Sequence, residues 1–244
     1  MRRRFFIERF DANSATLRGE RADHLGRVLR AEPGQLYELS DGASVWLGRI
    51  ERVALSRRGD SQVEFALIEP IAAEEPSLRI QLLISLVKFD RFEWCLEKAT
   101  ELGVTSVVPL AAARTDRPLL GAAGKRHARW ERIVVESAQQ SRRVGPPEVA
   151  ALVTPEQAFA ATTASCRILL SEREDAAHLR DALASANGAA TAALAIGPEG
   201  GWTDQEIRAA RAAGFAAASL GENILRTETA VLAALAVLRF AAGV

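Results

Sequence analysis

From Ile80 onward the sequence alternates between short, nearly continuous apolar runs and stretches whose apolar residues recur at helical spacing, and few folds absorb such a pattern. Ile80–Val87 reads as a strand buried on both faces. Phe92, Leu96, Ala99 and Leu102 then share one helical face, Gly103 closes that helix, and Val104–Leu110 is the next apolar run. The alternation predicts a helix near 125–142, strands near 149–153 and 167–171, a helix near 175–186, a strand at 191–196, a helix at 204–213, a strand at 215–220 and a last helix at 228–240. Strands joined by helical crossovers make a parallel sheet covered on both faces, so the expected class is α/β.

Upstream the period changes. Arg4–Ile7 starts a strand, Asp23–Arg30 has the spacing of a short helix stopped by Pro33-Gly34, and Gln35–Leu39, Val45–Ala54 and Gln62–Ile68 alternate around an Asp41-Gly42 turn. Pro70, Ala73-Glu74-Glu75 and Pro76 read as a linker. The expected organisation is a small, mainly β domain over residues 1–72 and a larger α/β domain over 73–244, long enough to bury cores without disulfides.

Thirty-one basic residues cancel thirty-one acidic ones, which speaks against a uniformly cationic nucleic-acid coat. The cancellation hides opposed segments. Residues 1–30 hold eight Arg against four acids, residues 114–145 eight basic residues against three, and residues 148–206 nine acids against three Arg. Arg outnumbers Lys 28 to three, a choice that suits phosphate forks but also follows from a GC-rich genome. Cys95 and Cys166 form no CxxC and have no His at ligand spacing, so no metal is expected and both read as buried thiols in a reducing compartment. Phe5-Phe6-Ile7 is cut short by Glu8, Arg9 and Asp11, which leaves no secretory h-region, and the longest uncharged apolar run, Ala230–Leu238, is too short for a bilayer. A cytoplasmic location is expected.

In open α/β sheets ligands bind beyond the carboxyl ends of strands. Two such loops stand out: Gly197-Pro198-Glu199-Gly200-Gly201 after Leu194-Ala195-Ile196, and Gly221-Glu222-Asn223-Ile224-Leu225-Arg226 after Ser219-Leu220. Neither is a dinucleotide fingerprint or a phosphate loop. The helices that follow open on acids (Asp204, Glu206; Glu228), which repel phosphate and fit a ligand without phosphates or a cationic one. The plainer reading is that the glycines only make tight strand-to-helix turns. Arg226, between Leu225 and an apolar helix, is either a site cation or the partner of Glu228 or Glu222 in a salt bridge. Lys88, Glu97, Lys98 and Glu101 read as helix-surface pairs, and Trp130 as a core anchor within a basic stretch. Gln139–Arg143, before Pro146-Pro147, is harder to explain by solvation; His24, beside Arg27 and Arg30, either touches RNA or is an ordinary helix residue.

Together these motifs resemble a known family. Ile196-Gly197-Pro198-Glu199-Gly200-Gly201, then Leu220-Gly221 with Ile224-Leu225-Arg226-Thr227-Glu228-Thr229-Ala230, resembles the C-terminal signature of the ribosomal RNA small-subunit methyltransferase E family. Lys98–Val104, Arg114, and Gln140 with Arg143 before Pro147 match as well, and His24–Arg30 with Pro33-Gly34-Gln35 resembles that family's PUA-like domain. The resemblance covers nearly the whole chain. It implies a SPOUT-type parallel sheet with a C-terminal deep trefoil knot, an exception to the rule that chains are unknotted, plus a small N-terminal PUA-like RNA-binding domain. It further implies S-adenosyl-L-methionine bound at Ile196, Gly197, Pro198, Glu199, Gly200, Gly201, Leu220, Gly221, Ile224, Leu225 and Thr229, and a homodimer acting on 16S ribosomal RNA or the small ribosomal subunit. Contacts to that RNA are implied at Arg4, His24, Arg27, Arg30, Arg114, Gln140 and Arg143. Two positions depart from the family pattern: Glu222-Asn223 stands where Pro-Arg is more frequent, and Arg142 where Gly is usual.

The reaction this resemblance implies is methylation of uridine N3 in the decoding region. That nitrogen carries a proton with a pKa roughly two units above neutral, so forming the anion costs ~3 kcal/mol. An Arg beside the uracil carbonyls offsets the developing charge, a role that falls to Arg226, with Glu228 as proton acceptor or orienter of the Arg. The alternatives are another SPOUT RNA methyltransferase, acting on ribose 2′-O or on transfer RNA, and a non-catalytic RNA-binding assembly factor.

Overall fold

The computed structural model describes residues 3–56, 59–73, 76–173, 175–184 and 188–243. The chain divides into two compact units, Met1–Glu75 with Ala138–Pro146, and Pro76–Ser137 with Pro147–Val244.

The smaller unit is built on a six-stranded mixed sheet. Its elements are β1 (Arg4–Phe6), β2 (Phe10–Asp11), β3 (Ser14–Arg18), α1 (Gly19–Asp23) running into a π-helical turn (His24–Val28), β4 (Leu36–Ser40), β5 (Val45–Ala54) and β6 (Gln62–Ile71). The strand order is β1-β4-β5-β6-β3-β2; only β1 and β4 are parallel. Inward residues such as Leu17, Leu39, Ile50, Val63 and Phe65 pack with Leu25 of the helical turn in one core, as period-two alternation requires. The β2–β3 hairpin was not foreseen. β6 runs through Pro70, the start of the expected linker, whereas Glu74 and Glu75 of that linker lie outside the described residues.

Arg4 departs from expectation. Its guanidinium is buried and donates from Nε (3.1 Å) and Nη2 (2.9 Å) to Glu38 Oε2, and from Nη1 to the Arg142 carbonyl at 2.6 Å. Arg142 donates to the same carboxylate, so Arg4 is a structural cation of this unit rather than a phosphate contact. Arg142 also adopts φ +57, which accounts for the glycine that is usual there.

The larger unit contains β7 (Arg79–Ser85), α2 (Phe89–Glu101), β8 (Ser106–Leu110), α3 (Arg117–Gln140, within this unit through Ser137), β9 (Glu148–Val149), α4 (Pro155–Ala161), β10 (Cys166–Leu170), β11 (Ala177–His178), α5 (Leu179–Ala184), β12 (Thr191–Ile196), α6 (Asp204–Ala212), β13 (Ala216–Ser219) and α7 (Thr227–Ala241). All seven strands are parallel, in the order β11-β13-β10-β12-β7-β8-β9. One face packs Leu82, Ile84, Ile168 and Leu194 against α2, α3 and α7; the other packs Leu83, Leu169, Ala193 and Ala195 with Phe159, Trp202 and Phe215. The α/β class with a parallel sheet and a separate mixed sheet is therefore present.

Three helical elements differ from the expected string, and the strand expected near 149–153 shortens to Glu148–Val149 with an isolated bridge at Val153. α3 starts at Arg117, not near 125, because Pro118 is accommodated in a first turn even though Gly121 and Gly124 weaken the pattern behind it. α4, unforeseen, begins on a Thr154–Gln157 capping box and supplies the crossover that parallel strands need. The helix expected near 175–186 is a short strand followed by α5; residues 185 and 186 lie outside the described residues.

Candidate active site

Five adjacent strands of the parallel sheet, β13-β10-β12-β7-β8, end on the same side, and the segments that leave them line one cavity of about 720 Å³. β12 contributes Ile196–Trp202, β13 the stretch from Ala218 to Gly221 and then Asn223–Thr227, and β10 Leu170–Arg173. Arg91 enters from the start of α2 after β7, and Arg114 from the loop after β8.

The glycine loop has its shape for identifiable reasons. A Cβ at Gly197 would lie 3.0 to 3.2 Å from the Trp202 indole, which cannot retreat because its Nε1 donates to the Leu170 carbonyl at 2.9 Å. At Gly200 a Cβ would meet the Arg114 side chain at 3.2 Å, and Gly201 takes φ +70. Arg114 Nη1 donates to the Gly200 carbonyl at 2.8 Å, bracing the loop from outside. Glu206, buried in the first turn of α6, closes a capping box with Thr203 and accepts the Ala113 amide at 2.9 Å. The glycines thus make a tight turn and also bring bare backbone to the cavity.

The charges around the cavity fall into two groups. Arg173 donates to Asp204 at 2.5 Å, while Asp175, hydrogen-bonded to Arg211 and close to Arg173, is held below the usual carboxylate range. Arg91 pairs with Glu199 and places Nε 3.8 Å from Glu228 Oε1. Arg226 stands apart. It is exposed, lines the cavity, occupies the N-cap of α7, and among the described residues makes no ion pair or side-chain hydrogen bond. Neither salt bridge left open by the sequence, to Glu222 or to Glu228, is formed. A cation at the positive end of a helix, in a position that favours Ser, Thr, Asp or Asn, does nothing for the helix.

Most of the residues expected to hold the cofactor meet here. Ile196, Gly197, Pro198, Glu199, Gly200 and Gly201 line the cavity from one side and Leu220, Gly221, Ile224 and Leu225 from the other. Thr229 does not: it is exposed in the first turn of α7, and Thr227 lines the wall instead. Glu228 stands behind the wall and meets Arg91, not Arg226. Of the residues expected to touch RNA, Arg114 lines the cavity, and His24, Arg27 and Arg30 are exposed on the π-helical turn and just after it. Arg27 is engaged with Asp23 (2.7 Å) and the Ser56 carbonyl (2.8 Å), and its hydrogen bond, with that from Ser61, keeps the Asp23 carboxyl below its usual value. Gln140 is exposed and Arg143 half-buried, both in the segment grouped with the smaller unit. Arg91 and Trp202 are not among the residues expected at the site, and Glu206, expected only as a charge at the start of α6, braces the loop after β8 instead. Arg91 carried a usable signal, since it follows the carboxyl end of an apolar strand just as the two glycine loops do.

Among the described residues no cluster of His, Cys, Asp and Glu is suited to a metal ion, and no helix is long and apolar enough to cross a membrane. A family model for the RNA methyltransferase domain matches residues 73–239. The ribosomal RNA small subunit methyltransferase E of Synechocystis sp. is 38% identical over 91% of this chain and 72% of its own length, and that of Mycobacterium bovis is 30% identical over 91% and 84%. The crystal structure of a ribosomal RNA small subunit methyltransferase E from Neisseria gonorrhoeae bound to S-adenosyl methionine superposes with a TM-score of 0.85 at 30% identity, covering 99% of this chain and 98% of that one. With the cavity at the ends of its parallel strands, the chain belongs to the ribosomal RNA small subunit methyltransferase E family.

Proposed function

We propose that this chain transfers a methyl group from S-adenosyl-L-methionine to N3 of a uridine in the decoding region of 16S ribosomal RNA, acting in the cytoplasm as a homodimer. The cofactor supplies an electrophilic methyl group. The residues present fit it: the cavity has room for a nucleoside with an amino-acid tail, and its glycine wall brings backbone close where a side chain would collide. Of the acids at the starts of α6 and α7, Asp204 lines the cavity, which suits a ligand that carries a sulfonium and no phosphate.

The observation that carries the catalytic reading is the unpaired Arg226 on the cavity wall. Its guanidinium would face the uracil carbonyls and offset the charge that develops as N3 loses its proton. Glu228 serves as an orienting group through Arg91 more readily than as a direct proton acceptor, because it is withdrawn from the wall. The C-terminal segment would form the trefoil knot, a reading supported by the insertion of β12 between β7 and β10 and by the two loops meeting at one cavity. Residues 1–72 would be the PUA-like RNA-binding domain and 73–244 the catalytic domain, with His24, Arg27, Arg30, Arg114, Gln140 and Arg143 contacting RNA and placing the flipped base.

The test is mass mapping of 16S RNA from a deletion strain complemented with the wild-type chain or with Arg226→Ala. Wild type should restore a base methyl on uridine and Arg226→Ala should not, although it folds and binds S-adenosyl-L-methionine in calorimetry. A ribose methyl in place of the base methyl would sink the N3 assignment.

A further inference from the structure

Arg91 occupies the third residue of α2, in the first turn, where exposed amides make the helix end positive. Nothing on α2 itself accounts for a cation there. Its partners come from two distant places: Glu199, in the glycine loop after β12, and Glu228, in the first turn of α7. Glu228 is mostly buried, and its second oxygen, Oε2, is buried without a hydrogen-bond partner among the described residues. Arg91 is the cation within ion-pair distance of that carboxylate. A planar guanidinium presents separate N–H edges to the two carboxylates in one fixed geometry, which the freely rotating ammonium of a shorter-reaching lysine does not fix.

We infer that Arg91 is the positioning residue of this site: it ties the glycine loop, through Glu199, to the start of α7, through Glu228, and thereby fixes where Arg226 stands. This rests on the reading above that the glycine loop holds S-adenosyl-L-methionine and that Arg226 faces the base. Arg226 is two residues before Glu228 and its side chain has no partner among the described residues, so its position is inherited from the first turn of α7. Without Arg91 the loop and the helix start would move independently, and both cofactor affinity and transfer would suffer.

Arg91→Gln and Arg91→Lys, made in the full chain, separate these roles. Isothermal calorimetry gives S-adenosyl-L-methionine affinity, and steady-state methylation of the RNA substrate gives kcat, both well below the melting temperature of each variant. Arg91→Gln should weaken the cofactor about 10-fold, equivalent to about 1.4 kcal/mol, and lower kcat by a further factor of about 10 to 100, the usual consequence of a misplaced group. Arg91→Lys should recover affinity by pairing with Glu199, the nearer acid, while kcat stays low. Arg91→Gln combined with Glu228→Gln should lower kcat no more than Arg91→Gln alone. Normal affinity and kcat in Arg91→Gln, or a loss of affinity with kcat intact, would overturn the inference. So would losses that disappear on cooling, since those report only a loosened fold. Absence of cofactor binding in the wild type, or full activity in Arg226→Ala, would instead remove the reading on which it rests.

Discussion

Replacing Arg226 by Ser should make the protein more stable and its chemistry much slower. Arg226 already has the extended conformation of an N-cap (φ −64, ψ 152), and its carbonyl accepts the first helical bond from the Ala230 amide at 2.9 Å. The amides of residues 227–229 therefore lie ahead of the first helical acceptor, and the Arg side chain caps none of them. A serine hydroxyl there accepts one such amide and is worth about 1 kcal/mol. Removing a cation from the positive helix end adds about 0.3 kcal/mol, the low end of the range because Arg226 is exposed. The gain reaches the core because Val231, Ala234, Leu235 and Leu238 of α7 are buried in it. For a domain of this size, about 1.3 kcal/mol raises the melting temperature by about 3 °C. Methyl transfer should fall by about 10²- to 10³-fold, the effect of deleting a group that stabilises developing charge. Cofactor affinity should change little, because the wall near Leu225 is kept. Differential scanning calorimetry, titration with S-adenosyl-L-methionine and single-turnover methylation read the three quantities. A lower melting temperature, or turnover within a few-fold of wild type, would refute the view that Arg226 is kept for chemistry at the expense of its helix.

Four further outcomes follow from the structure. Gly197→Ala should destabilise the larger unit by about 1–3 kcal/mol through collision with the pinned Trp202 ring, and should weaken S-adenosyl-L-methionine in calorimetry. Gly124→Ala, with open space around it in α3, should instead stabilise by about 0.5–1 kcal/mol in the same melts. In the smaller unit, Arg142→Gly should be more stable in urea than Arg142→Ala by about 1 kcal/mol, because both lose the contact to Glu38 but only Ala keeps a Cβ at φ +57; equal midpoints would show that the backbone there is unstrained. Burial, reinforced by the Glu228 carboxylate, pushes the Cys95 thiol from 9.0 up to about 12. Since the unfolded chain releases that proton near its ordinary value and the folded chain retains it, stability should be undiminished below pH 9 and fall between pH 9 and 12 with a slope approaching ~1.4 kcal/mol per pH unit. Cys95→Ala should flatten that limb in denaturant titrations, and maleimide should label native Cys95 only as fast as the protein opens.

Much of the larger unit was legible because burial on both faces writes itself into the chain as uninterrupted apolar residues. β12 coincides with its expected span, and β7, β10 and α7 differ by a residue or two. α4 escaped because seven residues offer too little periodicity; its signal was the Thr154-Pro155-Glu156-Gln157 box. Arg4 escaped for a different reason. A basic residue near the start of a chain looks solvated until Glu38 and Arg142 are brought to it, and that pairing over 34 and 138 residues leaves no mark in local spacing.

The site is legible in the sequence as two loops but not as a unit, because β12 and β13 run into glycine-bearing loops that stand out and β7 does not. Beyond β7 lies Lys88-Phe89-Asp90-Arg91, with an arginine in a first helical turn, the same electrostatic misfit that marks Arg226. The misfit alone is not enough. Arg117 opens α3 after β8 in the same way, yet it is exposed and does not line the cavity. What separates the three is where the compensating charge lies. Arg117 is simply exposed; Arg91 has Glu199 and Glu228, carried in after other strands; Arg226 has no side-chain partner among the described residues although it lines the cavity. On the proposed reading, an arginine that a helix does not need, that stands at a strand end, and that the described residues leave unpaired answers charge that develops in the substrate.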